Sequence, residues 1–299
     1  MPKNICAPNK YDPENNTCFA IDQLVEIAKA YNRHVTKTKL DPVSKQKYDG
    51  ANLIKIKSDK TYLLSELKKR FDNICHGDEY CMTQQSFMNE IVGEIRDDIT
   101  NNTFRTKGPD NSKEWLSTVD IDNIMSQYEN IYPNFKFFGA VPLNCDELPF
   151  CSLYKLDFGN YIKNKFVDLA IIFNLDKYGQ PGSHWVALFI ELRNGKIYYC
   201  DSTGKRPMEN IQQIIDQFIE FHKNKTGKSA VYKYNDKSYQ QDSSECGIYA
   251  CNFIIRKLAG EKFEDIINHA LNFEEINSCR NIYFRNNTSK FKSHAKCDP

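Results

Sequence analysis

The fold is decided by residues 246–255, CGIYACNFII, an apolar run that begins with a cysteine and a glycine. Such a run is typical of a buried helix, which we predict over 246–259, with Cys246 at its N-terminus. The N–H groups and the positive dipole end of a helix N-terminus favour thiolate over thiol, and thiolate is the form that attacks a carbonyl carbon. Cys246 is therefore the candidate nucleophile; a buried, inert thiol, as Cys251 is expected to be, is the structural alternative.

Upstream of this helix the sequence changes to strand-like runs. Residues 167–173 (VDLAIIF), 184–192 (HWVALFIEL) and 196–200 (KIYYC) are rich in aliphatic and aromatic side chains. The Asn194-Gly195 step between the last two is typical of a β-hairpin. His184 opens the first hairpin strand and Asp201 follows the second, so both are predicted at the same end of the sheet.

The hairpin also predicts which face these two side chains share. If the loop is centred on Asn194-Gly195, Arg193 pairs with Lys196, and the sums 193+196 and 184+201 differ by an even number. Because side chains alternate between the faces of a strand, His184 and Asp201 then project from the same side.

These residues form a possible catalytic set. An aspartate beside an imidazole fixes its tautomer and stabilises the imidazolium that forms during acyl transfer, so Asp201 would orient His184. A thiolate and an imidazolium stabilise each other, which would activate Cys246. Gln240, six residues before Cys246, could donate an N–H to the developing oxyanion, together with the backbone N–H of Cys246.

Each of these residues also has a structural interpretation. A histidine inside an apolar strand is often a core residue, and Asp201 could cap a turn. Gln240 and Gln241 could be surface residues, with the spacing to the cysteine favouring Gln240 as the donor. Trp115 and Trp185 could be core aromatics.

The first hundred residues are predicted to be helical. Apolar residues recur at helical spacing over 19–32, 59–74 and 84–96, the last preceded by Thr83 as an N-cap. The polar stretch 97–113 is the candidate interdomain linker, and a further helix is predicted over 119–131. We therefore expect a helical N-terminal extension, residues 1–112, followed by an α+β catalytic domain, residues 113–299.

Composition excludes several functional classes. With 40 basic and 39 acidic residues, the net charge of +1 gives no global field toward nucleic acid or a membrane. No apolar stretch is long enough to span a bilayer, and the N-terminus lacks a signal peptide. The 11 cysteines are then expected to be reduced thiols of a non-secreted protein. Oxidation could pair Cys145 with Cys151, or Cys6 with Cys18.

Two local clusters suggest further binding. Cys75-His76 with Cys81 contains residue types that bind zinc, but their spacing matches no common zinc finger, so we predict no metal or other cofactor.

The C-terminal stretch carries basic residues interleaved with aromatics. This pattern is compatible with binding to nucleic acid, although a solvated tail is the commoner outcome. The basic residues are Arg280, Arg285, Lys290, Lys292 and Lys296, and the aromatics are Tyr283, Phe284 and Phe291.

Four separated motifs together resemble the ubiquitin-like-protein protease family, which includes the desumoylases and adenain. They are Trp115-Leu116-Ser117 with the residues that follow, His184-Trp185, Asp201-Ser202, and Gln240-x5-Cys246-Gly247, and the similarity covers about 113–260. The N-terminal helices and the Asn- and Lys-rich text resemble the thiol proteases of large and giant DNA viruses. The resemblance implies a papain-like or adenain-like core, with a mostly antiparallel sheet flanked by helices and the nucleophile at a helix N-terminus.

The resemblance also implies a substrate. In this family two tryptophans form a narrow tunnel that admits glycines, so cleavage falls after Gly-Gly, and the chain's two tryptophans, Trp115 and Trp185, lie at the matching positions. Thr118 departs from the pattern, because the family often has an acidic residue there that grips the ubiquitin-like partner. The expected substrates are ubiquitin-like modifiers or viral structural proteins, and the expected location is the virion or the host cytoplasm.

Two other functions use the same residues. The triad would also serve an acyltransferase of the bacterial effector type, in which an amine resolves the acyl-cysteine. A degenerate protease domain could instead act as a scaffold while the N-terminal helices bind a partner. The oligomeric state is not predicted by the sequence.

Overall fold

The computed structural model describes residues 5–42, 45–47, 52–110, 114–149, 151, 153–286 and 290–299. The chain divides into two units, Met1–Thr106 and Lys107–Pro299. The predicted domain boundary after residue 112 falls within 111–113, which lie outside the described residues.

The helices and strands of the described residues are as follows. The helices are α1 (Ile21–Thr38), α2 (Lys60–Cys75), α3 (Glu79–Thr83), α4 (Glu94–Asp97), α5 (Thr118–Glu129), α6 (Phe158–Lys163), α7 (Glu209–Thr226), α8 (Cys246–Leu258), α9 (Phe263–Asn268), α10 (Phe273–Ser278) and α11 (Arg280–Tyr283). The strands are β1 (Phe135–Pro142), β2 (Asp168–Asn174), β3 (Trp185–Glu191), β4 (Lys196–Cys200) and β5 (Val231–Tyr234).

The second unit is built on one five-stranded sheet in the order β1-β2-β3-β4-β5. The two central pairs, β2–β3 and β3–β4, are antiparallel, whereas the outer pairs, β1–β2 and β4–β5, are parallel. The α+β class is confirmed, and the sheet is mixed rather than mostly antiparallel. Strands β2, β3 and β4 lie within a residue of their predicted bounds.

Both faces of this sheet are buried, which explains why β2 and β3 are apolar without alternation. Side chains at odd positions of β3, such as Trp185 and Phe189, pack with α5 and α8. Those at even positions, such as Val186 and Leu188, pack with α6 and α7. Helix α8 lies along β3 and is buried over nearly its whole length, as its apolar sequence predicts.

The first unit is helical, as predicted, but the helix expected over 84–96 is wrong. A 3-10 turn covers Ser86–Glu90, and α4 begins only at Glu94. Gly93 separates them with a φ of +76°, which ends helical hydrogen bonding and which glycine adopts at little cost. Phe87 and Ile91 are nevertheless buried. The apolar spacing over 84–96 therefore identified buried residues correctly, but not a continuous helix.

The stretch predicted as a linker is largely packed into this first unit. Gln23 donates to Asp98 and to Thr103, and Thr103 and Arg105 are buried. Polar side chains of this stretch form hydrogen bonds inside the unit. Composition alone does not distinguish such a packed polar segment from a solvated linker. The last part of the predicted linker, 111–113, lies outside the described residues.

The prediction of reduced cysteines is wrong for most of them. Four disulfides join Cys6 to Cys18, Cys75 to Cys81, Cys145 to Cys151, and Cys279 to Cys297. Cys200, Cys246 and Cys251 are free. No helix among the described residues has the length and apolarity needed to cross a membrane.

Candidate active site

His184 and Asp201 meet at the end of the sheet where β3 begins and β4 ends. His184 Nε2 donates to Asp201 Oδ1 over 2.7 Å, the Asp201 side chain is fully buried, and that of His184 is 15% exposed. The predicted proximity of the two side chains is confirmed. One ring nitrogen is thus engaged by a buried acid, while part of the ring reaches solvent.

The hairpin that brings them together differs from the predicted one. Glu191 pairs with Lys196, so the loop has four residues, 192–195, rather than two. The register is displaced by two positions, which preserves the parity of the pairing and therefore the shared face.

Asp201 is fixed from both its side chain and its backbone. Thr203 donates to Asp201 Oδ1 through its backbone N and its Oγ1, each over 2.8 Å. The buried Asn235 side chain accepts from the Asp201 N–H over 2.8 Å and donates to the Asp201 carbonyl over 2.5 Å. The carboxylate therefore cannot swing away from His184.

Cys246 is the first residue of α8 and is buried, with 2% exposure. Its Sγ lies 3.9 Å from the Ser243 carbonyl oxygen, within weak hydrogen-bond range. The next position accommodates little besides glycine, because a Cβ on Gly247 would lie 3.0 Å from the Leu116 Cβ. The Cys-Gly pair thus starts the helix directly against the segment that carries Trp115.

The pKa of His184 indicates that the three groups interact. Burial lowers this pKa, but the hydrogen bond with Asp201 and the interaction with the Cys246 sulfur outweigh it and raise the pKa to about 9. Burial acts to raise the pKa of Asp201, yet the hydrogen bonds from His184 and Thr203 bring it below its ordinary value. With Nε2 turned to Asp201, Nδ1 is the ring nitrogen left for Cys246.

The Gln240 side chain is held in the loop before Cys246. Its Oε1 accepts from Ser202 Oγ over 2.5 Å, and its Nε2 donates to the Asp242 carbonyl over 2.5 Å. Its backbone N–H donates to the Ser202 carbonyl over 3.1 Å. One amide hydrogen is thus used inside the loop and a second is available to a ligand.

The two tryptophans differ in their exposure. Trp185 is 5% exposed and donates from Nε1 to the Leu116 carbonyl over 2.9 Å. Trp115, the neighbour of Leu116, is 40% exposed. The buried indole is therefore tied to the segment that presents the exposed one.

Sequence reasoning assigned no role to the residues that hold the others. Thr203, Asn235 and Ser202 act through hydrogen bonds to Asp201 or Gln240. Thr203 could have been found, because a threonine two residues after an aspartate is typical of a side-chain turn. Asn235 carries no such local signal, since its contact spans 34 positions.

Several residues of the two local clusters have structural roles instead. Cys75 and Cys81 are joined in a disulfide, so they cannot supply thiolates to zinc, and the described residues contain no group of three potential metal ligands. In the basic C-terminal stretch, Arg280, Tyr283 and Phe284 have 0% exposure. These three belong to the core and cannot contact nucleic acid, because helix formation there buries them.

This arrangement suits nucleophilic catalysis. A thiol at a helix N-terminus, an imidazole with its second nitrogen on a buried carboxylate, and a fixed amide before the thiol are the parts that acyl transfer from a carbonyl substrate requires.

Comparisons with known proteins give consistent relatives. The chain is 58% identical over 296 residues to a thiol protease of Acanthamoeba polyphaga mimivirus, covering 99% of this chain and 98% of that protein. It is 24% identical over 200 residues to a cysteine protease of African swine fever virus, covering 61% of this chain and 72% of that protein.

Two further comparisons concern the domain and the fold. The pattern of the Ulp1 protease family, C-terminal catalytic domain, matches residues 164–295. A crystal structure of the African swine fever virus protease superimposes with a TM-score of 0.65 at 15% identity, covering 96% of this chain and 97% of that chain. The shared fold thus extends over the helical first unit as well as the sheet.

Proposed function

The chain belongs to the Ulp1 protease family, a family of cysteine proteases, and from that premise we propose that it hydrolyses peptide or isopeptide bonds after Gly-Gly. The observation that carries the proposal is the hydrogen bond of His184 to the buried Asp201, together with a thiol, Cys246, at the N-terminus of α8 that helps to raise the pKa of His184. Cys246 is the nucleophile, His184 the acid and base, and Asp201 the group that orients His184.

The reaction proceeds through an acyl-enzyme. The Cys246 thiolate attacks the carbonyl carbon of the second glycine, and the imidazolium of His184 gives its proton to the leaving amine as the C–N bond breaks. A water molecule, deprotonated by His184, then attacks the thioester; the C–S bond breaks, the carboxylic acid product leaves, and the Cys246 thiolate and the His184 imidazolium are restored. The raised pKa of His184 supports this role, because it favours the imidazolium form beside a thiolate.

Gln240 and the backbone N–H of Cys246 are the proposed oxyanion donors. The first N–H groups of a helix have no acceptor within the helix, so that of Cys246 is directed outward. The hydrogen bonds from Ser202 and to Asp242 fix the amide of Gln240 in advance, which supports a donor role for its second hydrogen.

Trp115 and Trp185 are the proposed walls of a narrow substrate channel. The hydrogen bond of Trp185 to the Leu116 carbonyl holds the two segments together. An entrance lined by two large indoles would exclude side chains larger than hydrogen and so select two glycines.

The proposed substrate is a protein with a Gly-Gly motif, either a viral structural precursor or a ubiquitin-like modifier. Two relatives support this range: the mimivirus thiol protease and an African swine fever virus protein named SUMO-1 cysteine protease. Thr118 leaves the partner's identity open between these classes. The proposed site of action is the virion or the host cytoplasm.

A peptide library with glycine fixed or varied at the two positions before the scissile bond tests the function. We expect cleavage only after Gly-Gly, loss of cleavage in Cys246→Ala, and retention in Cys251→Ala, a matched free cysteine in the same helix. A Gly-Gly electrophilic probe should label Cys246. Hydrolysis by Cys246→Ala at the wild-type rate would refute the mechanism, and broad tolerance at either position would refute the channel. Failure of the probe to label Cys246 would favour a scaffold role.

A further inference from the structure

Arg280 is a buried cation next to the loop that precedes Cys246. It is the first residue of α11 and has 0% exposure, which is unusual for an arginine. Its guanidinium contacts two backbone carbonyls: Nη2 donates to Glu114 O over 2.9 Å and to Ser244 O over 3.3 Å.

These two contacts join the segments that carry the proposed substrate channel and the nucleophile. Glu114 immediately precedes Trp115, and Ser244 lies two residues before Cys246. A planar guanidinium with several donors in a fixed geometry can hold two carbonyls at once, which a lysine ammonium does less well. Arg280 therefore fixes the spacing between Trp115 and Cys246.

A second charge lies in the same place. Glu245, the residue before Cys246, has 0% exposure, and its carboxylate accepts from the Asp242 N–H over 3.0 Å and from Ser244 Oγ over 2.9 Å. Asn277 connects the two charges, donating to Glu245 Oε1 over 3.5 Å and accepting from Arg280 Nε over 3.3 Å.

The two buried charges near the N-terminus of α8 have opposite effects on the thiol. The α8 dipole does not stabilise Arg280, because a cation near a helix N-terminus adds to the positive potential there. A carboxylate beside a thiol, by contrast, raises the free energy of the thiolate. The cation offsets this effect of Glu245, and its Nη1 is buried without a hydrogen-bond acceptor among the described residues.

We propose that Arg280 is a positioning residue of the proposed protease reaction, whose guanidinium holds the Trp115 and Cys246 segments together and offsets the Glu245 carboxylate beside the thiol. The proposal rests on the proposed function, since it takes Cys246 as the nucleophile. Burial lowers the pKa of Arg280, and the charges of Glu245, Asp120 and Cys246 act in the opposite direction, which is consistent with proximity to the thiol.

The test is the pH dependence of Cys246 alkylation by iodoacetamide, located by mass spectrometry. Cys200 and Cys251 are buried like Cys246, but burial raises their pKa values, so they should react slowly. In Arg280→Met we expect the alkylation midpoint to rise by about one pH unit, because a positive charge is removed while the Glu245 carboxylate beside the thiol stays. Arg280→Lys should recover part of this shift, but not the full Gly-Gly selectivity.

A double variant separates charge from packing. In Glu245→Gln/Arg280→Met the carboxylate is also removed, so the midpoint should return toward the wild-type value. The matched control is Arg256→Met, because Arg256 is an equally buried arginine of α8 whose guanidinium pairs with Glu261 at the other end of the helix. Arg256→Met should lower the melting temperature without moving the midpoint.

The outcomes distinguish this inference from the proposed function. If His184→Ala raises the midpoint and Arg280→Met does not, the role of Arg280 is refuted while Cys246 and His184 stand. If neither variant moves the midpoint, the proposed catalytic pair itself is refuted. A shift in Arg256→Met as large as that in Arg280→Met would show that loss of packing, rather than charge, is responsible.

Discussion

The two ends of the sheet in the second unit both bury charged side chains, but they use them differently. Where β3 begins, Asp201 is hydrogen-bonded to His184, and neutral donors such as Thr203 and Asn235 hold the acid. Where β3 ends, Glu191 is bound by Lys257 over 3.1 Å and by Lys196 over 3.8 Å.

The second end, which we call the hairpin end, also contains a cavity of about 490 Å³. Its lining includes Asp168, Glu191, Lys257 and Tyr198, and the Lys257 ammonium lies 4.4 Å from the centre of the Tyr198 ring. Opposite charges neutralise one another there, whereas the charges around Cys246 surround the proposed nucleophile. Buried charge and a cavity alone therefore do not identify a reactive site.

The largest expected effect is at the catalytic end. The pKa of His184 is raised to about 9 by Asp201 together with Cys246. Asp201→Asn removes the first of these charges, so that pKa should fall and the alkaline limb of kcat/KM against pH should move to lower pH. We expect kcat/KM to fall by about 10²–10⁴-fold, as when a triad histidine loses its acid. Measurement of kcat/KM from pH 5 to 10 checks both effects; an unchanged alkaline limb would mean that Asp201 does not control His184.

Gln240→Ala should give the next largest effect. Loss of one oxyanion donor costs about 2.7–4 kcal/mol of transition-state stabilisation, or roughly 10²–10³-fold in kcat, with little change in KM. Gln241→Ala is the matched control, since its side chain is exposed and one position further along the chain. Equal losses in the two variants would remove Gln240 from the oxyanion site.

At the hairpin end, Lys257→Met should affect stability rather than chemistry. The substitution leaves the Glu191 carboxylate with the hydrogen bond from Asn194 and the more distant Lys196, and we expect a loss of about 1–3 kcal/mol in the free energy of unfolding. Urea denaturation measures this loss, and kcat for a Gly-Gly substrate should stay within about twofold of wild type. A large fall in kcat at unchanged stability would show that the two ends of the sheet are coupled.

Asp168→Asn should give the smallest effect, with the opposite sign. Burial and the facing Glu191 raise the pKa of Asp168 to about 6, while Lys257 acts in the opposite direction. A carboxyl whose pKa is higher in the folded state loses stability as pH rises through about 4 to 6. The amide should therefore raise Tm at pH 7.5 by roughly 2–4 °C and leave it unchanged at pH 4, as about 1 kcal/mol does in a domain of this size. Scanning calorimetry at both pH values checks this, and an equal gain at pH 4 would exclude titration as the cause.

The sequence predicted the parts of the fold whose side chains are buried on both faces. Strands β2, β3 and β4 and helix α8 are continuous apolar runs, and each lies close to its predicted bounds. Strand β1 was missed because Lys136, Gly139 and Pro142 interrupt its pattern, and the pairing with β2 shifts at Gly139. Strand β5 was missed because it is a short edge strand whose side chains are only partly buried.

The candidate site was predicted as far as local geometry reaches. A hairpin connects His184 to Asp201, so its parity was sufficient to place them on one face despite a wrong loop length. Asn235 contacts the backbone of Asp201, 34 positions away, and Arg280 contacts that of Ser244, 36 positions away. No periodicity or motif in the sequence predicts such contacts. Arg280 was even grouped with solvated basic residues, because its burial depends on helices that pack only in the folded unit.

The four-residue connection between β3 and β4 also restricts how this chain can change length during evolution. His184 and Asp201 lie 17 positions apart, and an insertion of one residue would turn Asp201 to the opposite face of the sheet. Insertions or deletions in pairs would keep the face and displace the acid by one step along its strand. Among homologues we therefore expect length variation to accumulate in the connection before His184 and in the loop before Gln240, while the segment between histidine and aspartate keeps its length or changes it by even numbers.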